Sequence, residues 1–103
     1  MDELRDFLFS IYVMLKFNYP NIIYEEFGDS NSKLNFHIEF RYKSLIRIQF
    51  NNDTGKYLVL IYGEPYYHDT ISDVKKIISD NLEYIENILI ELEGERYDRR
   101  SFT

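Results

Sequence analysis

His37 and Glu39 stand two residues apart in an alternating stretch. That spacing puts both side chains on one strand face and offers the first two donors of a metal site. The chain has two histidines and no cysteine, so an exposed His–Glu pair is the better account, and neither a metal nor any other cofactor is expected. His68 and Asp69 are adjacent, but Asp69 has competing work as a helix cap. Glu25 and Glu26 point to opposite faces of a strand and cannot act as a paired acid and base. No nucleophile stands beside a histidine and no glycine-rich phosphate loop is present, so an enzyme is not expected.

What remains is charge. From Ile77 to Glu95 the chain carries Asp80, Glu83, Glu86, Glu91, Glu93 and Glu95 with no Lys or Arg. A solvated amphipathic face is the plain explanation. Faces selected for stability alone usually intersperse lysines at i+4, however, and uncompensated like charges repel. The run therefore suggests a partner that supplies the bases. Residues 57–95 hold nine acids and two bases, whereas 33–56 hold two acids and five bases. Tyr66 and Tyr67, in the segment Gly63-Glu64-Pro65-Tyr66-Tyr67-His68, are candidate interface aromatics; the alternative is that one or both tuck beneath a sheet.

The elements that must position these residues follow from periodicity. Leu4, Phe7, Leu8, Ile11, Met14 and Leu15 predict a helix over 3–18, capped by Asp2 and ended by Pro20. A second apolar stripe, Phe9, Val13 and Phe17, lies opposite the first and is expected to be covered by other elements, or else to form a sticky face. Residues 22–27 predict a strand, and 28–33 a polar loop. Leu34, Phe36, Ile38, Phe40 and Tyr42 alternate with polar residues, and the parity resumes at Ile46, Ile48 and Phe50. A three-residue loop at 43–45, or an equivalent bulge, would pair Phe40 with Ile48 and Ile38 with Phe50, keeping one apolar face.

Asn51 to Gly55 is a turn signal, and 57–62 predicts a strand with apolar residues on both faces, either central or doubly covered. The segment 63–68 reads as a loop. Thr70 or Asp69 can cap a helix carrying Ile71, Val74, Ile77 and Ile78. Asp80-Asn81-Leu82-Glu83 is a second capping signal, which leaves open either a break or a continuous helix with Asn81 on its seam. Leu82, Tyr84, Ile85, Ile88, Leu89 and Leu92 then define one half of a last helix that Gly94 should stop, followed by a basic tail with Arg96, Arg99 and Arg100. The expected fold class is α+β: an N-terminal helix, an antiparallel meander of three or four strands, and one broken or two C-terminal helices.

The chain has 103 residues, 45% of them apolar and none alanine, which suits one domain with one core. Without cysteine it has no disulfides, as fits a reducing compartment. The longest apolar run is too short to span a bilayer, and Asp2 and Glu3 occupy positions where a signal peptide carries positive charge. A cytoplasmic location without membrane contact is expected, as a monomer or weak homodimer.

In outline the element order resembles the double-stranded-RNA-binding domain, with Lys75 and Lys76 early in a helix where that family contacts phosphates. The acidity beyond them disfavours direct nucleic-acid binding. In size, acidity, element order and lack of alanine, the whole chain resembles the small phage-encoded anti-CRISPR proteins that inhibit Cas9. That resemblance implies a basic protein partner, a Cas nuclease or another nucleic-acid-binding protein. It further implies that the acidic side chains Glu64, Asp69, Asp73, Asp80, Glu83, Glu86, Glu91 and Glu93 mimic DNA phosphates in a basic cleft, next to the candidate interface aromatics Tyr66 and Tyr67. An immunity or antitoxin protein blocking a basic nuclease toxin, or an acidic secretion chaperone, would use the same physics.

Overall fold

The computed structural model describes residues 2–28 and 33–101. In chain order these form α1 (Asp2–Asn18), β1 (Ile23–Gly28), β2 (Lys33–Phe40), β3 (Lys43–Asn51), β4 (Lys56–Ile61), β5 (Glu64–His68), α2 (Ile71–Asp80) and α3 (Leu82–Ser101). The strands make one antiparallel sheet in sequential order. The fold is α+β with helices at both ends of the chain, and its sheet has five strands where three or four were expected. The expected polar loop falls mainly on residues 29–32, outside those described. The Asp2 cap and the side chains of Arg96, Arg99 and Arg100 also lie outside what is described.

The fifth strand is the segment read as a loop. Tyr62 and Gly63 both adopt the left-handed conformation, φ 48° and 86°, the geometry of a two-residue hairpin turn whose twist matches its strands. Pro65 obscured the strand in the sequence. It pairs with Leu60 on an edge strand, where a missing N–H is tolerated.

The β2–β3 register differs from expectation by four residues. Phe36 faces Ile48 and Ile38 faces Ile46, rather than Phe40 facing Ile48 and Ile38 facing Phe50. The turn is the two-residue Arg41-Tyr42, with φ 51° and 66°. Neither residue is the Gly or Asn that usually marks such a turn, so nothing in the composition signals it. A two-residue turn alone would mix the faces. The register shift beside Ile38 and Glu39 accommodates Leu45 as one extra residue on β3 and restores the apolar parity. The bulge was foreseen; its position was not.

The inner sheet face carries Phe36, Ile38, Phe40, Ile46, Ile48, Val59 and Ile61, all fully buried against Leu4, Leu8, Ile11 and Leu15 of α1, Val74 and Ile78 of α2, and Ile85, Ile88, Leu89 and Leu92 of α3. All three helices therefore cover one face and leave the other open. β4 is interior to the sheet, its Leu58 and Leu60 half-buried on the open face. α1 packs by a single stripe. Phe9, Val13 and Phe17 are exposed, Phe17 at 88%, which corrects the expectation that they are covered. Only Phe9 finds ring partners, Tyr12 at 5.6 Å and Tyr24 at 5.9 Å between centroids.

Thr70 caps α2: its hydroxyl oxygen accepts from the Asp73 N–H and its hydroxyl donates to the Asp73 carboxylate at 2.9 Å. The helix breaks at Asn81, whose N–H returns to Ile78 O and whose side-chain amide donates to Ile77 O at 2.7 Å. The Asn81 carbonyl then accepts from the Ile85 N–H and opens α3. Gly94 does not stop α3, which continues to Ser101. A mid-helix glycine costs about 1 kcal/mol, and the anchoring of Leu92 in the core outweighs it. Among the described residues no helix is long and apolar enough to cross a membrane.

Candidate functional site

The ten residues expected to bind a partner fall into three places. Glu64, Tyr66 and Tyr67 lie on β5. Alternation splits the tyrosines: Tyr66 turns inward and packs against the core, while Tyr67 stands 71% exposed on the open sheet face. The Tyr66 hydroxyl donates to Glu64 at 3.4 Å. Asp69, Asp73 and Asp80 flank α2. Asp73 is held in its capping exchange with Thr70, and Asp80 borders a cavity of about 120 Å³ with His68, Asp73, Lys76 and Ile77. Glu83, Glu86, Glu91 and Glu93 lie on α3.

In space the acidic run is not free of bases. Arg41, from the β2–β3 turn, reaches across to α3 and donates to Leu92 O at 2.8 Å and to Glu93 at 3.0 Å. Lys76 lies 3.4 Å from Asp80, and Lys56 3.9 Å from Asp69. Lys75 lies 2.7 Å from Glu3, whose carboxyl it holds below its usual value by hydrogen bonding and charge, and its ammonium also rests over the Phe7 ring. Both lysines that invited comparison with an RNA-binding helix are thus paired. Glu83, Glu86 and Glu91 are exposed and make no ion pair with any described residue.

Glu86 adjoins an apolar groove. A cleft of about 260 Å³ between α1 and α3 is lined by Met14, Leu15, Asn18, Tyr19, Glu86 and Ile90. Ile90 is 60% exposed. Glu83, Glu86, Ile90 and Glu93 recur at three- and four-residue steps and so form one stripe of α3. Across the cleft, Met14 and Phe17 share a stripe of α1, and both are exposed. The arrangement is an apolar patch with carboxylates along one border. Periodicity assigns Met14 and Tyr84 to covered faces and gives Ile90 no place on either half of the last helix; the structure corrects the first two, for all three are exposed, because the apolar stripes of α1 and α3 are wider than the surface the sheet covers.

The open sheet face carries a second group. The β1–β2 register sets Glu25 directly opposite His37, with Glu39 two residues along the same face, and the three are half-buried. The ring nitrogen His37 Nε2 is 2.9 Å from Ser44 Oγ. Comparison with protein-family models, with curated proteins and with solved structures returned no match.

Proposed function

We propose that this chain is a binding protein that inhibits a nucleic-acid-binding effector by occupying the basic surface its nucleic acid would use. In its most specific form the effector is a Cas9-like nuclease and the chain belongs to a phage or other mobile element. The observation that carries the reading is the α1–α3 cleft, where Glu86 stands beside the exposed Met14 and Ile90, with Glu83 and Phe17 on the same stripes of their helices. Carboxylates stand in for phosphates and accelerate docking, while an apolar anchor supplies dwell time, since charge at a rim acts mainly on association and buried contacts on dissociation. A contiguous apolar patch on a monomer marks an interaction site more often than a lone exposed side chain does. An immunity protein for a basic nuclease toxin is the second reading, and the same surface supports it.

The test is competition for a PAM-bearing duplex on a Cas9–guide complex, followed by surface binding kinetics. Wild type should displace the duplex, with affinity falling as salt shortens the screening length to about 8 Å and below. Replacing Glu83, Glu86 and Glu91 by Gln should slow association about tenfold and flatten its salt dependence. Phe17→Ser with Ile90→Ser should instead speed dissociation. Glu93 is left intact because Arg41 needs it. No displacement removes the Cas9 assignment, and the toxin assay then takes its place. A triple variant that binds with wild-type kinetics at low salt removes the acidic mimicry altogether.

A further inference from the structure

We propose that Glu25, His37 and Glu39 form a binding site for one divalent transition-metal ion, of which zinc is the representative. The sequence offered only His37 and Glu39. The antiparallel pairing of β1 with β2 brings Glu25 opposite His37 as a third donor, and a donor atom from each of the three lies within 4.8 Å of the others. Around a tetrahedral ion with bonds of about 2.0–2.1 Å, donors end about 3.4 Å apart. Side-chain rotation alone closes that difference, because all three belong to neighbouring positions of a rigid two-strand ladder.

The donor set is mixed, and that decides the ion. Two carboxylates alone would suit calcium or magnesium, which take oxygen ligands. An imidazole between them shifts preference towards zinc and its neighbours, and three protein ligands leave a position open to water or to a further ligand. Ser44 contributes a supporting contact. Its hydroxyl at 2.9 Å from Nε2 orients the ring; in the tautomer that donates from Nε2, Nδ1 carries the lone pair for an ion.

The electrostatics agree. Glu25 and Glu39 are half-buried and make no ion pair with any described residue, so two carboxylates converge on one imidazole with no salt bridge to hold them. Arg47 is the nearest base by register. It pairs with His37 from β3, on the side away from Glu25, and so stands beyond His37 from the two carboxylates' shared edge.

The experiment is calorimetric titration of the full chain with zinc chloride, with calcium and magnesium chloride as comparisons, read beside the two histidine ring signals by NMR. The expected result is saturable binding of one zinc ion per chain, movement of the His37 signals and not those of His68, and no comparable heat from calcium or magnesium. Glu25→Gln and His37→Gln should each abolish saturable binding, Ser44→Ala should weaken it about tenfold, and His68→Gln should leave it intact. Circular dichroism establishes that each variant is folded. Absence of saturable zinc binding to wild type overturns the proposal, as does equal binding by calcium or retention of the site in His37→Gln. Should Glu25→Gln fail to fold, the His37 signals of wild type still decide the matter.

Discussion

Arg41→Ala should destabilise the protein by about 2 kcal/mol, and the figure follows from what one guanidinium touches. Arg41 donates to Leu92 O at 2.8 Å and to Glu93 at 3.0 Å, and its carbon lies 4.9 Å from the centre of the Phe40 ring. A hydrogen bond from a charged group contributes about 1.5–3 kcal/mol, a partly exposed cation–π contact about 0.5–1 and a partly exposed ion pair about 0.5. Arg41 is a quarter exposed and Glu93 about a third, and contacts made by one group do not add, so the low end applies. For a chain of this length each kcal/mol moves Tm by about 4 °C, giving a fall of about 8 °C.

Arg41→Gly separates contact from strain. Both variants lose the same contacts, but at φ 51° Ala keeps a left-handed penalty of about 1 kcal/mol that Gly does not feel. Arg41→Gly should therefore be destabilised by about 1 kcal/mol less than Arg41→Ala, measured by urea denaturation at neutral pH. Hydrogen exchange should also quicken at the C-terminal half of α3 in both. A Tm shift under about 2 °C for Ala would show that the bridge contributes little, and equal losses for Ala and Gly would sink the strain argument.

Burial, with the charge of Glu26 adding to it, pushes the Tyr24 phenol up to about 12 from an ordinary 10.0. The fold thus favours the neutral form, and this contribution is complete below the unfolded value and is lost as pH rises from 10 towards 12; Tyr24→Phe should stay within about 1 kcal/mol of wild type at neutral pH, because it removes only a buried hydroxyl beside the Glu26 carboxylate, and should gain on wild type in urea unfolding above about pH 10. Glu86→Lys should leave thermal stability unchanged or raise it by about 0.2–0.5 kcal/mol through pairing with Glu83 one turn away, while abolishing partner capture; a variant that melts lower would show that Glu86 has structural work.

Fold class, helix positions and the apolar parity of the sheet were legible in the sequence because each rests on periodicity, which burial enforces. The failures share a different cause. Arg41, Tyr42 and Tyr62 have positive φ that such residues seldom adopt, and the surrounding hairpins hold them there without leaving a compositional mark; Gly63 alone is at home in its turn. Pro65 and Gly94 misled in the opposite sense, because an edge strand tolerates the one and a core-anchored helix the other. For the candidate site, the pairing of Glu25 with His37 needs the register of two strands, and the pairing of Arg41 with Glu93 spans 52 residues. Neither distance exists in a linear reading.

The contact from Arg41 also changes which carboxylates deserve functional weight. A run of six acids without a base looked uniform, yet the fold answers its members differently. Asp80 has Lys76 and Glu93 has Arg41, and both are thereby accounted for by stability. Glu83 lies in the first turn of α3, where a carboxylate complements the helix dipole, so it too has a structural reason to be acidic. Glu86 has none of these. It stands past the first turn, exposed, at the lip of the cleft with Met14 and Ile90, one turn from another acid where lysine would have been the stabilising choice. An acid where local stability favours a base, beside apolar side chains where solvent favours polar ones, is what the proposed binding surface requires of its residues, and it is why the proposal rests on Glu86.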